Sequence, residues 1–154
     1  MIKFSSNEKD LFVKHKLLPN AMAKAIRLSA YNAGRLLVED LRKEIKKPKS
    51  GRVYRIYLGK RKKYHTASAP SEVPAYRSGK FYKSVNFVVR GLNRMEFGSD
   101  GVDYAKYLEE GTRNMAPGQP FERTNKKNYS LIKSMSTNNI NNQLRLLGFR
   151  VTKI

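Results

Sequence analysis

Few side chains in this 154-residue chain are placed to do acid–base or covalent chemistry. The two histidines, His15 and His65, stand 50 residues apart in basic or flexible surroundings. Catalysis needs a second group within hydrogen-bond reach, and the local sequence supplies none to either. Glu109 and Glu110 are adjacent, so on a helix they point about 100° apart and form no carboxylate pair. Asp100 and Asp103 flank a turn, where capping explains them. Gly79-Lys80 lacks the preceding glycine of a phosphate-binding loop. Two acids and a lysine could in principle build a metal-dependent nuclease site, but no spacing here calls for one. Cysteine is absent, which excludes disulfides and thiolate–metal sites. The expectation is no enzyme, no metal, no cofactor and no small-molecule substrate.

The charge says more. Thirty-two Lys and Arg against twelve Asp and Glu leave +20, beyond the magnitude of about 2–8 suited to a small soluble domain. Such a chain attracts polyanions, whether nucleic acid, an acidic membrane surface or an acidic protein. Residues 42–63 read RKEIKKPKSGRVYRIYLGKRKK and hold eleven cations and one acid. In that stretch Arg52, Tyr54, Arg55 and Tyr57 interleave cations with aromatics, and Lys60, Arg61, Lys62 and Lys63 follow. Cations neutralise phosphates and tyrosines stack on bases. The same pattern equally describes a solvated hairpin whose tyrosines pack on the domain. No apolar run is long enough for a signal peptide or a membrane span. With no cysteine, an intracellular site of assembly is expected.

The elements that would position these residues follow from periodicity. Residues 1–18 are mixed and lack a clear period. From Pro19 to Lys46, Met22, Ile26, Ser29, Ala33, Leu37, Leu41 and Ile45 recur at steps of three and four, which predicts a long helix. Pro19 suits its first turn and Pro48 stops it. Such a helix is the spine on which a sheet packs. Residues 52–66 alternate as a basic hairpin, with Val53, Arg55 and Tyr57 on one face and Tyr54, Ile56 and Leu58 on the other. Neither face is cleanly apolar, so the hairpin projects. Residues 67–77 form an extended loop with two prolines. Ser78 is the expected cap of a short helix, GKFYKSV. A second hairpin joins residues 85–90 to 94–98, with Phe87, Val89, Met95 and Phe97 inward. Asp103 is expected to cap the helix YAKYLEE, on which Tyr104, Tyr107 and Leu108 share one face, and Gly111 ends it. A further helix is expected over residues 122–135, with Tyr129, Ile132 and Met135 inward. The STNNINNQ run is polar, but Ile140, Leu144 and Leu147 keep helical spacing in another helix that Gly148 stops, and a terminal strand begins at Phe149. The whole reads as one α+β domain with residues 136–154 as an extension.

Three linked segments are more specific. The first is Ala67-Ser68-Ala69-Pro70-Ser71-Glu72-Val73-Pro74-Ala75, after the basic hairpin. The second is Ser78-Gly79-Lys80-Phe81-Tyr82-Lys83-Ser84-Val85. The third is Tyr104-Ala105-Lys106-Tyr107-Leu108-Glu109-Glu110-Gly111-Thr112-Arg113-Asn114-Met115, followed by Pro120-Phe121. In this order, from about Pro19 to Arg123, the chain resembles a family of neck or tail-completion proteins of long-tailed phages and prophages. It departs from the family pattern by having four residues, Ala116 to Gln119, between Met115 and Pro120, and Thr124 where a proline is usual. The resemblance implies a structural virion protein at the head–tail junction, built as an α+β domain with a long N-terminal helix packed on a mostly antiparallel sheet. It implies a ring of like copies that meets head-closure, tail-terminator or tail-tube proteins, with DNA passing through the channel. Tail terminator, head closure or a free nucleic-acid-binding protein are the alternative roles. The motif residues, Leu108, Gly111, Met115 and Phe121 among them, read as maintaining the fold. The hairpin reads as an arm laid on an acidic neighbouring subunit, with DNA as the second candidate.

Overall fold

The computed structural model describes residues 2–3, 8–58, 61–92 and 94–151. Its elements run β1 (Ile2–Lys3), α1 (Glu8–Lys46), β2 (Val53–Leu58), β3 (Arg61–Thr66), α2 (Lys80–Ser84), β4 (Val85–Arg90), β5 (Arg94–Ser99), α3 (Ala105–Glu110), α4 (Pro120–Leu146) and β6 (Arg150–Val151). The fold is α+β, as expected, with a long N-terminal helix, small antiparallel sheets and a C-terminal helix. The strands form three separate two-stranded ladders, β1–β6, β2–β3 and β4–β5.

Helix α1 begins eleven residues earlier than periodicity suggested, and Pro19 lies inside it. Proline removes only its own N–H, here the bond to the His15 carbonyl, and the flanking Glu, Lys and Leu residues favour the helix. At 1.5 Å per residue its 39 residues span about 58 Å. Helix α4 is likewise one 27-residue element where two helices were expected. Asparagines and threonines hold the helix poorly in isolation because their side chains compete for backbone groups. Here the Asn139 amide is instead spent on a tertiary bond, donating to Ser29 Oγ at 3.1 Å.

The contacts divide the described residues into two units. One takes those up to 34, 89–96 and those from 129 onward. There Ala25, Ser29 and Ala33 are buried along α1, Phe149 is buried after α4, and β1 pairs antiparallel with β6, Ile2 opposite Val151. Gly148, at φ 77°, ends α4 as anticipated.

The other unit, 35–88 and 97–128, holds the principal core. Val38, Leu41 and Ile45 of α1 pack with Phe81, Val85 and Ala105, flanked by Phe87, Phe97, Leu108 and Phe121. The Phe121 ring stands edge-on to Phe81 and Phe97, at 5.9 and 5.2 Å between centroids. Arg42 of α1 donates to the carbonyls of Tyr82 and Val85.

Several local expectations are corrected. Gly79, at φ 77°, occupies the cap position of α2 in place of Ser78, whose hydroxyl accepts only a long 3.4 Å bond from the Lys80 N–H. Tyr104 rather than Asp103 occupies the cap of α3, and no side chain caps it. Tyr104 and Tyr107 are exposed, while Ala105 and Leu108 are the α3 residues that meet the core. Tyr129 is 65% exposed, since Thr124 and Asn128 take the inward face of α4. Met115 is exposed too, and its backbone is bridged both ways to Thr112.

Candidate partner interface

The basic segment forms the expected ribbon. Val53 pairs with Thr66, Tyr54 with His65, Arg55 with Tyr64, Ile56 with Lys63, Tyr57 with Lys62 and Leu58 with Arg61. Gly59 and Lys60 lie outside the described residues. Residues directly opposite share a face. One face therefore carries Arg55, Tyr64, Tyr57 and Lys62, a cation beside an aromatic on each rung. The other carries Tyr54, His65, Ile56 and Lys63, with Arg61 beyond and the Arg52 guanidinium 5.6 Å from the centre of the Tyr54 ring. Ile56 and His65 are half-buried, whereas Arg55, Tyr57, Lys62 and Tyr64 are all exposed. The ladder is anchored at its base by reciprocal bonds, Gly51 N to Ala67 O and Ala67 N to Arg52 O.

The motif residues form a different structure: a set of loops tied to one another. Glu72 accepts bonds from Ser50 Oγ and from the backbone N–H groups of Ser50 and Ala69, at 2.8, 3.3 and 2.8 Å. That clamps the start of the loop holding Ala69, Pro70 and Pro74. Arg123 donates to the Ser71 carbonyl of the same loop. Glu109 receives the N–H groups of Phe121 and Glu122, at 3.0 and 2.9 Å, and so closes the first turn of α4 behind Pro120. Gly118 N–H donates to the Leu108 carbonyl at 3.0 Å. Gly111 has φ 79° and ψ −177°, conformational ground that only glycine occupies readily. A β-carbon there would stand 2.7 Å from the Met115 carbonyl oxygen. Among the motif residues Gly79, Ala105 and Pro120 are buried and Leu108 and Phe121 half-buried. These bonds, side chain to backbone and backbone to backbone, tie the loops to one another. The individual partners of Glu72 and Glu109 were not legible beforehand, because both are long-range bonds.

A polar node joins α1 to α4 in the same unit. Lys127 Nζ lies 2.9 Å from Asp40 and 3.1 Å from Glu44, and Asn128 donates to Asp40 at 2.7 Å and to the Thr124 carbonyl at 2.9 Å. Burial works to raise the Asp40 pKa, but bonds from Lys127 and Asn128 outweigh it and hold the group below its ordinary range. Lys47, then Lys127, lower Glu44. The two carboxylates in turn raise Lys127. Glu72 is held low by the Ala69 N–H and the Ser50 hydroxyl. These shifts follow from structural ion pairing and need no substrate.

The sequence reading missed a row of exposed apolar side chains on α1, among which the exposed Lys24 also stands. Val13, Leu17, Leu28 and Tyr31 are exposed, and their spacing puts them within about 60° of one another on the helix. The buried Ser29 and Ala33 lie across the helix from this row, and the buried Ala25 lies at its edge. Lys24, Arg27, Leu28, Tyr31 and Val89 line a shallow groove of about 370 Å³. The steps of four, eleven and three residues were present in the sequence, but a second apolar row on one helix reads as part of one broad stripe.

Among the described residues, no three His, Asp or Glu side chains come close enough to hold a metal ion, and no helix is long and apolar enough to cross a membrane. Compared with family models, curated proteins and solved structures, the chain matches none.

Proposed function

We propose that this chain is a non-enzymatic structural protein of a tailed-phage virion, joining head to tail as one copy in a ring at the neck. The exposed stripe of α1 carries the reading. Val13, Leu17 and Leu28 leave large apolar side chains in water on one side of α1, beside the half-exposed Tyr31. A closed ring needs two different patches per copy, and this stripe serves as one of them. The ordered loops 67–77 and 104–121, which carry the resemblance to neck and tail-completion proteins, support the same reading. In it the partners are further copies of the chain and the adjoining head-closure, terminator or tube proteins, and the location is the head–tail junction.

The test is the oligomeric state by light scattering, alone and with neck and tail partners, paired with a head–tail joining assay. Rings are expected for the unsubstituted chain, and Leu28→Glu with Tyr31→Glu should leave folded monomers and unjoined heads and tails. A strict monomer even with neck and tail partners present would defeat the proposal. So would normal joining by the doubly substituted chain.

A further inference from the structure

We infer that the ribbon β2–β3 binds single-stranded nucleic acid on the face carrying Arg55, Tyr57, Lys62 and Tyr64. The register puts these four on one side, and each rung pairs a cation with a tyrosine. Tyr57 and Tyr64 are 64% and 66% exposed, unusual for rings of that size. Nothing acidic lies between Arg52 and Thr66, so the ribbon must find its countercharge elsewhere.

A second copy of this chain is poorly equipped to supply it. Asp40 and Glu44 are taken by Lys127, Glu96 by Arg90 and Arg94, and Glu122 by Lys126, while Glu39 and Glu110 keep only loose, exposed pairings with Arg35 and Lys106 at 3.4 and 3.9 Å. Glu72 and Glu109 are committed to backbone N–H groups. Of the acids whose side chains are described, Asp100 and Asp103 alone have no such engagement among the described residues. Few acids of a second copy are left uncommitted, so a different molecule is the better source of the countercharge. An acidic protein would satisfy the cations and can bury tyrosine rings too, but lysine is depleted in protein interfaces. A single strand offers both: phosphates for Arg55 and Lys62, and a π-face on every base for Tyr57 and Tyr64. Bases inside a duplex are stacked on each other and cannot take up the rings. The other ribbon face is less suited, since Tyr54 has Arg52 beside it and Ile56 is half-buried.

The inference is independent of ring formation. Its test is anisotropy of the full chain with a fluorescent 20-nucleotide oligothymidylate, the matching duplex and poly-L-glutamate, across a salt series. Tyr57→Ser with Tyr64→Ser is expected to weaken oligothymidylate binding about tenfold or more per ring while leaving the salt slope unchanged. Arg55→Ser with Lys62→Ser should lower that slope by about 1.4, at roughly 0.7 per phosphate contact. Lys133→Ser with Arg145→Ser, two exposed cations of α4, should change affinity far less than either ribbon pair. Circular dichroism, dominated by α1 and α4, checks that each variant is folded. Unchanged oligothymidylate affinity in the tyrosine variant overturns the inference. Equal losses on poly-L-glutamate do so as well and reassign the face to an acidic protein. Preference for duplex over single strand, insensitive to the tyrosines, reduces the face to general attraction for phosphates and also overturns it. Equal losses from the α4 pair point to bulk charge and defeat it too.

Discussion

Glu109 and Glu110 make a controlled experiment, since two identical side chains stand on one helix in opposite circumstances. Glu109 accepts both the Phe121 and Glu122 N–H groups, donors that a helix start otherwise leaves without partners. Replacing it with alanine removes a capping interaction worth about 0.5–2 kcal/mol. It also removes a negative charge from the positive end of a 27-residue helix, about 0.3–1 kcal/mol. The Glu122 N–H is exposed and can turn to water, whereas Phe121 is half-buried against Phe81 and Phe97 and cannot do so freely. Glu109→Ala should therefore cost about 1–3 kcal/mol. Glu110 faces water and has only a 3.9 Å pairing with Lys106, so Glu110→Ala should stay within about 0.5 kcal/mol of zero. Glu109→Gln, which keeps one acceptor, should fall between. Urea unfolding followed by far-ultraviolet circular dichroism gives all three values. Equal costs for the two alanine variants would refute the assignment of Glu109 as the cap of α4.

Leu41 is fully buried in the core and Leu146 is 78% exposed, so Leu41→Ala should cost about 2–5 kcal/mol and Leu146→Ala almost nothing in the same unfolding assay. Gly111→Ala should destabilise by more than about 1–3 kcal/mol, since a β-carbon meets the Met115 carbonyl as well as a disfavoured φ; Gly91→Ala, also at positive φ but with open space around it, should cost only about 1–2 kcal/mol in thermal melts. The Asp40 and Glu44 pKa values are depressed in the folded chain. Their contribution is therefore full above the unfolded carboxylate range, about pH 4, and is lost as pH falls through the lower folded values. Lys127→Met removes the cation shared by both, so a plot of stability against pH should show a shallower acid limb than in the unsubstituted chain, and an unchanged limb would contradict the pairing.

The sequence was most informative where one residue dictates one geometry. The three- and four-residue steps from Met22 to Ile45 located the helix whose Leu41 and Ile45 now anchor the core. The alternation from Val53 to Thr66 located the ribbon, and Gly111 and Gly148 marked their helix ends. It was least informative where tertiary bonds outweigh local preference. Thr137 and Asn139 argue locally for a break in α4, and a bond to Ser29 answers that. Tyr129 looked like a core residue by type, but the smaller Thr124 and Asn128 fill the inward face. Of the candidate interface, the ribbon's composition was readable in advance. What needed coordinates was the register, which puts both open tyrosines with Arg55 and Lys62, and the commitment of most described carboxylates to partners within their own copy.

The ribbon has a further consequence, for solubility. A two-stranded ladder has an unpaired row of N–H and C=O groups along each outer margin, and such margins recruit other chains. Val53, Tyr54, Ile56, Tyr57 and Tyr64 are residues that favour that recruitment. What holds copies apart is mutual repulsion among Arg52, Arg55, Arg61, Lys62 and Lys63, which act as gatekeepers. A polyanion that binds those cations cancels the repulsion while it is being added. The protein should thus turn cloudy near charge equivalence and clear again once the polyanion is in excess and the sign has reversed. Handling the chain in low salt preserves the repulsion, whereas about 1 M salt, with a screening length of only about 3 Å, weakens it.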